Sequence, residues 1–214
     1  MNQQLSRYFS PLKLLLTALL ASAAISALAE ADKAEQSEAP IQVTDETFNC
    51  IRDMTKVRGF YVDNLLGDLD GTLEVANSST GGVYPPGSVV QLVPGEVMVK
   101  HQKGFNPATK DWEFFELDVS EEGSKIRNRG FVDVVNRFGG NCFACHVQAK
   151  PQWDLICETG HGCEPIPLTK EILALLQKTD PRCESNPELN QEEIAKLQAL
   201  QQALLAKEKE KENK

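Results

Sequence analysis

Six cysteines, Cys50, Cys142, Cys145, Cys157, Cys163 and Cys183, constrain this 214-residue chain more than any other feature, because their chemistry depends on where the chain folds. The N-terminus bears on that question. Arg7 and Lys13 make a positive region, Leu14 to Ala29 is almost wholly apolar, and Ala27-Leu28-Ala29 is a small-x-small cleavage pattern. Residues 1–29 therefore read as a signal peptide cleaved after Ala29. The competing reading is an uncleaved anchor, but the apolar run is short for a bilayer span of roughly 20 residues. No cysteine follows the cleavage point to carry a lipid, and no later apolar stretch reaches membrane length, so no stable membrane span is expected. The expected location is the periplasm. Such an oxidising compartment permits disulfides and disfavours thiolate zinc sites.

Two of the cysteines lie in Cys142-Phe143-Ala144-Cys145-His146, a C-x-x-C-H string. This spacing is the attachment signature of c-type haem. The thiols add to two vinyl groups on one porphyrin edge, so they must sit about one helical turn apart. The next residue, His146, is then placed to bind the iron axially. The expectation is one covalent haem c, held by Cys142 and Cys145 and ligated by His146. Three other readings compete. A thioredoxin-like C-x-x-C needs a strand before it and a helix starting at its first cysteine, whereas the approach here is the loop-like Arg137-Phe138-Gly139-Gly140-Asn141. A zinc site would recruit Cys142, Cys145, His146 and His161, against the chemistry of the compartment. A plain Cys142–Cys145 disulfide would leave His146 idle.

Four cysteines remain, and four allow three pairings that sequence cannot distinguish. The expected pairing is a local Cys157–Cys163 bridge and a long Cys50–Cys183 bridge. Closing the longer loop would stabilise the fold by about 4–5 kcal/mol in the chain-entropy model.

Elsewhere the chain changes character in stages. Residues 30–43 are acidic and small, with Pro40, and read as a disordered leader. From Thr44 or Asp45 onward, Phe48, Ile51, Met54, Val57, Tyr61 and Leu65 recur every three or four residues, which predicts a helix ending at Gly67. Turn signals at Ser79-Thr80-Gly81-Gly82 and Pro85-Pro86-Gly87 open a region of short β-like runs, Ser88 to Val93, Glu96 to His101 and Trp112 to Val119. In the last, Trp112, Phe114 and Glu116 share one face and Phe115, Leu117 and Val119 the other. After the C-x-x-C-H string, Thr169 caps a helix over Lys170 to Lys178. Ser185-Asn186-Pro187-Glu188 opens another, with Ile194, Leu197, Leu200 and Leu204 apolar. The predicted class is α+β: an antiparallel sheet domain over 44–165 with an N-terminal helix and a covalent haem c, and a C-terminal helical extension over 166–214. The extension docks on the domain, projects, or pairs two copies as a homodimer.

Charge narrows the partners. The chain carries −9, and loss of Arg7 and Lys13 takes the mature protein to −11. Nucleic acid is a poor partner for such a chain, because phosphate contacts need clustered Lys and Arg. A small-molecule ligand or a redox partner protein remains.

The segment from Tyr84 to His146 resembles the cytochrome P-460 family, which includes the cytochrome c-prime-beta proteins. Tyr84-Pro85-Pro86-Gly87-Ser88-Val89-Val90 is similar to that family's Pro-x-Gly-Thr strand start. Gly95-Glu96-Val97-Met98-Val99-Lys100 is similar to its following strand ending in Lys, and Asp111-Trp112-Glu113-Phe114-Phe115 to its Trp-x-Phe strand, with Cys142 to His146 closing the domain. The region after Pro165 has no counterpart. The resemblance implies an antiparallel β domain and a five-coordinate haem open to small ligands. Some members bind the porphyrin through an additional strand lysine and oxidise hydroxylamine; others bind nitric oxide or related diatomics. Lys100 is the matching position and Lys103 a weaker one. The competing reading of Lys100 is a solvent-facing strand residue.

The sixth iron position separates the functions. Met54, Met98, His101 or His161 opposite His146 would make a closed, six-coordinate electron carrier. An open position would bind or oxidise small nitrogen species such as hydroxylamine or nitric oxide, with Trp112, Phe114 and Phe115 as candidate pocket walls. Glu96, Glu113, Glu116 and Asp118 are then candidate proton donors, with nothing to choose among them. Whether the chain is an oxidoreductase stays open at this stage. A third reading is a disulfide-bonded interaction module without haem.

Overall fold

Three β-like runs, the first two joined by a tight turn and the third reached through a longer loop, become the middle of a six-stranded antiparallel meander whose spatial order follows the chain. Its strands are β1 (Thr55–Val57), β2 (Phe60–Asn64), β3 (Ser88–Val93), β4 (Glu96–Lys100), β5 (Trp112–Ser120) and β6 (Gly123–Gly130). This computed structural model describes residues 41–212, so the expected signal peptide and most of the expected acidic leader lie outside the described residues. Among the described residues, four α-helices accompany the sheet: α1 (Leu69–Asn77), α2 (Cys142–His146), α3 (Lys170–Lys178) and α4 (Gln191–Glu212). The class is α+β, and the three expected strands lie within a residue of their expected bounds.

The expected N-terminal helix is absent. Residues 45–47 and 51–53 form single 3-10 turns, each followed directly by Phe48 or Met54, while Val57 and Tyr61 fall on the β1–β2 hairpin and Leu65 just beyond it. Arg58, in the left-handed region at φ 51°, turns the chain between Val57 and Phe60. The spacing of Phe48, Ile51, Met54, Val57 and Tyr61 mimics a helical stripe. Yet Phe60, Tyr61 and Val62 are all buried because β2 lies between β1 and β3 with side chains packed on both faces. Pairing with β3 overrides the local period. The helix that does form is α1, started by the Asp68 carboxylate, which accepts from the Gly71 amide at 3.1 Å. The leader also ends earlier than expected: Ile41 and Val43 are buried, and Arg129 donates to the Val43 carbonyl at 2.8 Å.

Strand alternation sorts the core into two clusters. One face of the sheet carries Phe60, Val62, Val90, Met98, Trp112 and Phe114, and it is covered by α1, by Tyr84 and by Val134, Leu155 and Ile156. The other carries Val89, Val97, Val99, Phe115 and Leu117 under Ile41, Val43 and Phe48. Gly87 sits at a crossing where a Cβ would lie 2.6 Å from Asn64 Oδ1, and its φ of 86° independently favours glycine.

The C-terminal segment is pinned to the sheet domain. Cys50 and Cys183 are bonded, as are Cys157 and Cys163, the pairing guessed from sequence. The side chain of Gln177 on α3 donates to the carbonyls of Gly59 and Leu92, each at 2.7 Å. Asp180, which is fully buried, accepts from the Ile51 amide at 2.8 Å and pairs with Arg182 at 2.7 Å. Helix α4 is tied to α3 by Lys178–Glu193 at 2.9 Å, and its Ile194, Leu197, Leu200 and Leu204 are half-buried. Among the described residues, no helix is long and apolar enough to cross a membrane.

Candidate functional site

The C-x-x-C-H string folds as the single helical turn α2, and its start is fixed by Asn141. The Asn141 carbonyl oxygen Oδ1 accepts from the Ala144 amide at 2.7 Å, while its Nδ2 donates to the Val132 carbonyl at 2.8 Å. The Cys142 amide donates to the Val134 carbonyl at 2.9 Å. These bonds seat α2 on the first face of the sheet, where the Phe143 ring meets Phe114 at 6.4 Å between centroids and the His146 ring meets it at 5.3 Å.

Cys142 and Cys145 are both half-buried free thiols, one turn apart, while the other four cysteines are bonded in pairs. Burial, then the nearby carboxylates of Glu96 and Glu116, push the Cys142 thiol up to about 12. Burial and Glu96 push Cys145 up as well. These thiols are therefore protonated rather than primed for disulfide exchange, unlike the depressed first cysteine of a redox-active C-x-x-C.

His146 is oriented by its own chain. Its Nδ1 lies 2.7 Å from the Leu155 carbonyl oxygen, and a carbonyl only accepts, so Nδ1 carries the proton. Burial lowers the His146 pKa, and the carbonyl bond opposes this only in part. The neutral ring leaves Nε2 as its lone-pair nitrogen, the state a metal ligand needs. Two thiols one turn apart, followed by a histidine of fixed tautomer, form a donor set that fits one covalent haem.

The Leu155 carbonyl is held in place by an unusual piece of backbone. Asp154 and Leu155 are consecutive non-glycine residues in the left-handed region, at φ 47° and 67°. Asp154 is clamped from several sides. Its carboxylate accepts from Lys100 Nζ at 2.8 and 3.1 Å and from the Tyr84 amide at 3.0 Å, and its carbonyl accepts from Trp112 Nε1 at 2.8 Å. Lys100 also donates to the Lys110 carbonyl at 2.6 Å and lies 5.1 Å from the Trp112 ring centroid. The solvent-facing reading of Lys100 is thus corrected: the residue is 4% exposed and Asp154 1%. Strand alternation puts Lys100 on the same face as Met98 and Glu96, and that face is covered. Burial lowers the Lys100 pKa, against the attraction of Asp154. Lys103 is exposed in the loop beyond.

Comparison with known protein families, with curated proteins and with solved structures finds no match to this chain.

The remaining candidates separate by face. Met54 packs with the second cluster, and His101 follows Val97 and Val99 onto that side, so both lie across the sheet from α2. His101 is 1% exposed, donates through Nε2 to Glu113 Oε2 at 2.8 Å and stacks on Phe105 at 4.1 Å. Met98 lies on the α2 side, opposite Phe114 in the β4–β5 register, within the wall against which His146 rests. His161 stacks on Trp153 at 3.8 Å, with Nδ1 held by the Ile156 carbonyl at 2.7 Å. Trp112 and Phe114 belong to the core beneath α2, and Phe115 to the opposite face.

The acids divide in the same way. Glu113 is opposite, paired with His101 and with Arg129 at 2.7 Å. Asp118 is largely exposed. Glu96 and Glu116 are register partners on the α2 side. Burial and the Glu116 charge push Glu96 up to about 7, opposed by Arg137 and a 2.9 Å hydrogen bond from Asn136. Glu116 binds Arg137 and Arg127, each at 2.9 Å, through Oε1, while its buried Oε2 has no hydrogen-bond partner.

Asp154 and Leu155 are the residues that sequence reasoning missed. The one available signal was physical: a lysine closing a buried strand needs a counter-ion, but sequence does not say which acid supplies it. Cys50, Asp180 and Cys183 also lie close together, but the two sulfurs are bonded to each other and Asp180 is taken by Ile51 and Arg182, so this is a disulfide node rather than a metal site.

Proposed function

We propose that this chain is an exported, periplasmic c-type cytochrome carrying one haem on Cys142 and Cys145, with His146 as the axial ligand and the sixth position open to small nitrogen species, in the manner of the cytochrome P-460 proteins. The observation that carries the reading is the donor set on α2: two unpaired thiols one turn apart in a chain whose other cysteines are all bonded, beside a histidine whose Nδ1 is taken by the Leu155 carbonyl. The exposed Val132, Val135 and Val147 support it, because they flank α2 and offer apolar surface for a porphyrin to cover.

The open sixth position is supported by the placement of the candidates. Met54 and His101 lie across the sheet, His161 is stacked and tethered, and Met98 is embedded in the wall behind His146. The haem supplies the redox and ligand-binding chemistry. The chain holds the ring, orients His146 and sets Glu96 and Glu116 on the same side of the sheet as the thiols, where a carboxyl with a pKa of about 7 exchanges protons near neutrality.

The test is expression with a cytochrome c maturation system, followed by intact mass and absorption spectra of the oxidised, reduced and nitric-oxide-treated protein. One covalent haem, a high-spin spectrum and a shift with nitric oxide are expected. A protein without covalent haem overturns the reading. A low-spin spectrum indifferent to nitric oxide makes the protein an electron carrier. N-terminal sequencing of the periplasmic fraction checks for a mature chain starting at Glu30.

A further inference from the structure

We infer that Lys100 and Asp154 form a positioning brace for the axial histidine, and that Lys100 is therefore an ion-pair residue and not a second covalent link to the porphyrin. The inference rests on the reading of His146 as the iron ligand. It starts from the backbone. Two successive left-handed L-residues are strained, and such geometry persists only where its surroundings over-determine it. Asp154 tolerates the left-handed region better than most residues, but Leu155 does not. They are held by Lys100 Nζ at 2.8 and 3.1 Å and the Tyr84 amide at 3.0 Å on the carboxylate, by Trp112 Nε1 at 2.8 Å on the carbonyl, and by burial of the Leu155 side chain in the first core cluster. A neighbouring contact reinforces the loop: the Gly82 amide donates to the Gln152 carbonyl at 2.9 Å, and a Cβ at Gly81 would collide with that carbonyl.

The product of this arrangement is one aimed atom. With Asp154 clamped, the Leu155 carbonyl points at His146 Nδ1 from 2.7 Å. A hydrogen bond at Nδ1 fixes the ring's tautomer and rotation and makes Nε2 a stronger donor to a metal. A stronger donor favours the oxidised iron, so the brace acts on reduction potential without touching the haem. The amine has no part free for other chemistry in this arrangement, since Asp154 and the Lys110 carbonyl take it and the Trp112 ring lies over it.

The experiment compares full-length holoprotein carrying Lys100→Met, Asp154→Asn or Glu113→Gln with the wild type. Glu113→Gln is the control, because it disturbs a buried ion pair on the opposite face of the sheet. The readouts are reduction potential, the iron–histidine stretching frequency of the ferrous protein, and mass analysis of the haem peptide. Lys100→Met and Asp154→Asn are expected to raise the potential and lower the stretching frequency, and Glu113→Gln to move neither. Asp154→Asn is nearly isosteric and compatible with the left-handed region, so it keeps the test open if Lys100→Met does not fold. Unchanged potential and frequency in Asp154→Asn would overturn the brace. So would a wild-type haem peptide that includes Lys100. If the wild type takes up no haem, the functional reading fails separately, and nitrogen NMR of the haem-free protein still reads the brace. In that case Asp154→Asn is expected to abolish the single Nδ1–H tautomer of His146, and an unchanged tautomer would overturn the inference.

Discussion

The two faces of the sheet each bury an ionic knot, and adjacent residues at the end of β4 supply them. Lys100 goes to one side and His101 to the other. On the first face, Lys100–Asp154 lies under the loop that orients His146. On the second, His101–Glu113–Arg129 reaches the Val43 carbonyl and so ties the start of the described chain to the sheet. The side chains are similar in kind and both pairs are almost fully buried. What differs is what hangs from them: a strained loop whose carbonyl meets His146 Nδ1 in one case, an extended N-terminal segment in the other. A buried ion pair therefore says little by itself about function, because its cost and strength are set by burial and geometry. The backbone it holds decides what it is for.

The sharpest way to break this comparison is to remove the thiols. Cys142→Ser with Cys145→Ser is expected to abolish covalent haem completely, as read by a haem stain of a denaturing gel, while the far-ultraviolet circular dichroism of the sheet is retained. The counterpart is Cys50→Ser with Cys183→Ser. That pair closes a loop with a sequence separation of 133, so its loss is expected to cost about 4–5 kcal/mol in chain entropy, measured by urea unfolding. Haem attachment in the surviving folded fraction should be unaffected. Loss of haem in the second variant at temperatures where it remains folded would show that the two regions are not independent.

How much of this could be read from the sequence differs between the regions as well. The β3, β4 and β5 runs were legible because each is bounded by turn residues and alternates with a period of two. The faces of Trp112 to Val119 followed directly. The candidate set Cys142, Cys145 and His146 stood out because covalent haem attachment would demand residues close together in the chain, and the fold puts all three on the one turn of α2. The stretch Phe48 to Leu65 was misread because its apolar spacing satisfies a helical period while its pairing with β3 is non-local. Asp154 was invisible for a related reason: its partner Lys100 is 54 residues away, and nothing local marks it. The sequence placed no acid preferentially, and only the fold sorted Glu96 and Glu116 from Glu113.

A middle-sized effect is expected on the second face. Glu113→Gln keeps the shape of the side chain but weakens two charge-assisted contacts, to His101 and Arg129. The expected loss is about 2–3 kcal/mol, since a buried, partly unsatisfied network is left behind. The visible spectrum of the holoprotein should not change, and a spectral shift would show that this face also reaches the haem.

The smallest effect is also the one that best separates the faces, because the two buried acids have opposite pH behaviour. Glu96 is raised from 4.5 to about 7, first by burial and then by Glu116. Its folded form holds the proton more tightly than the unfolded chain does. The contribution is therefore fully present below about pH 4.5 and is lost as pH rises towards 7 and beyond. Glu113 is shifted down: burial alone would raise it, but the hydrogen bonds from His101 and Arg129 outweigh burial. Its contribution is present above the ordinary value of 4.5 and is lost as pH falls through its lowered folded value. Glu96→Gln should accordingly be more stable than the wild type at pH 8, by on the order of 1–2 kcal/mol once solvent screening is allowed for, and equal to it near pH 4.5. Glu113→Gln should show its deficit at pH 8 and recover on acidification. Urea midpoints at several pH values between 3 and 8 measure both. Parallel pH profiles for the two variants would mean that Glu96 and Glu113 are not held in opposite states. Crossed profiles would mean that alternation along β4 and β5 has set a proton-retaining Glu96 on the side of the thiols and a charge-retaining Glu113 on the side away from them.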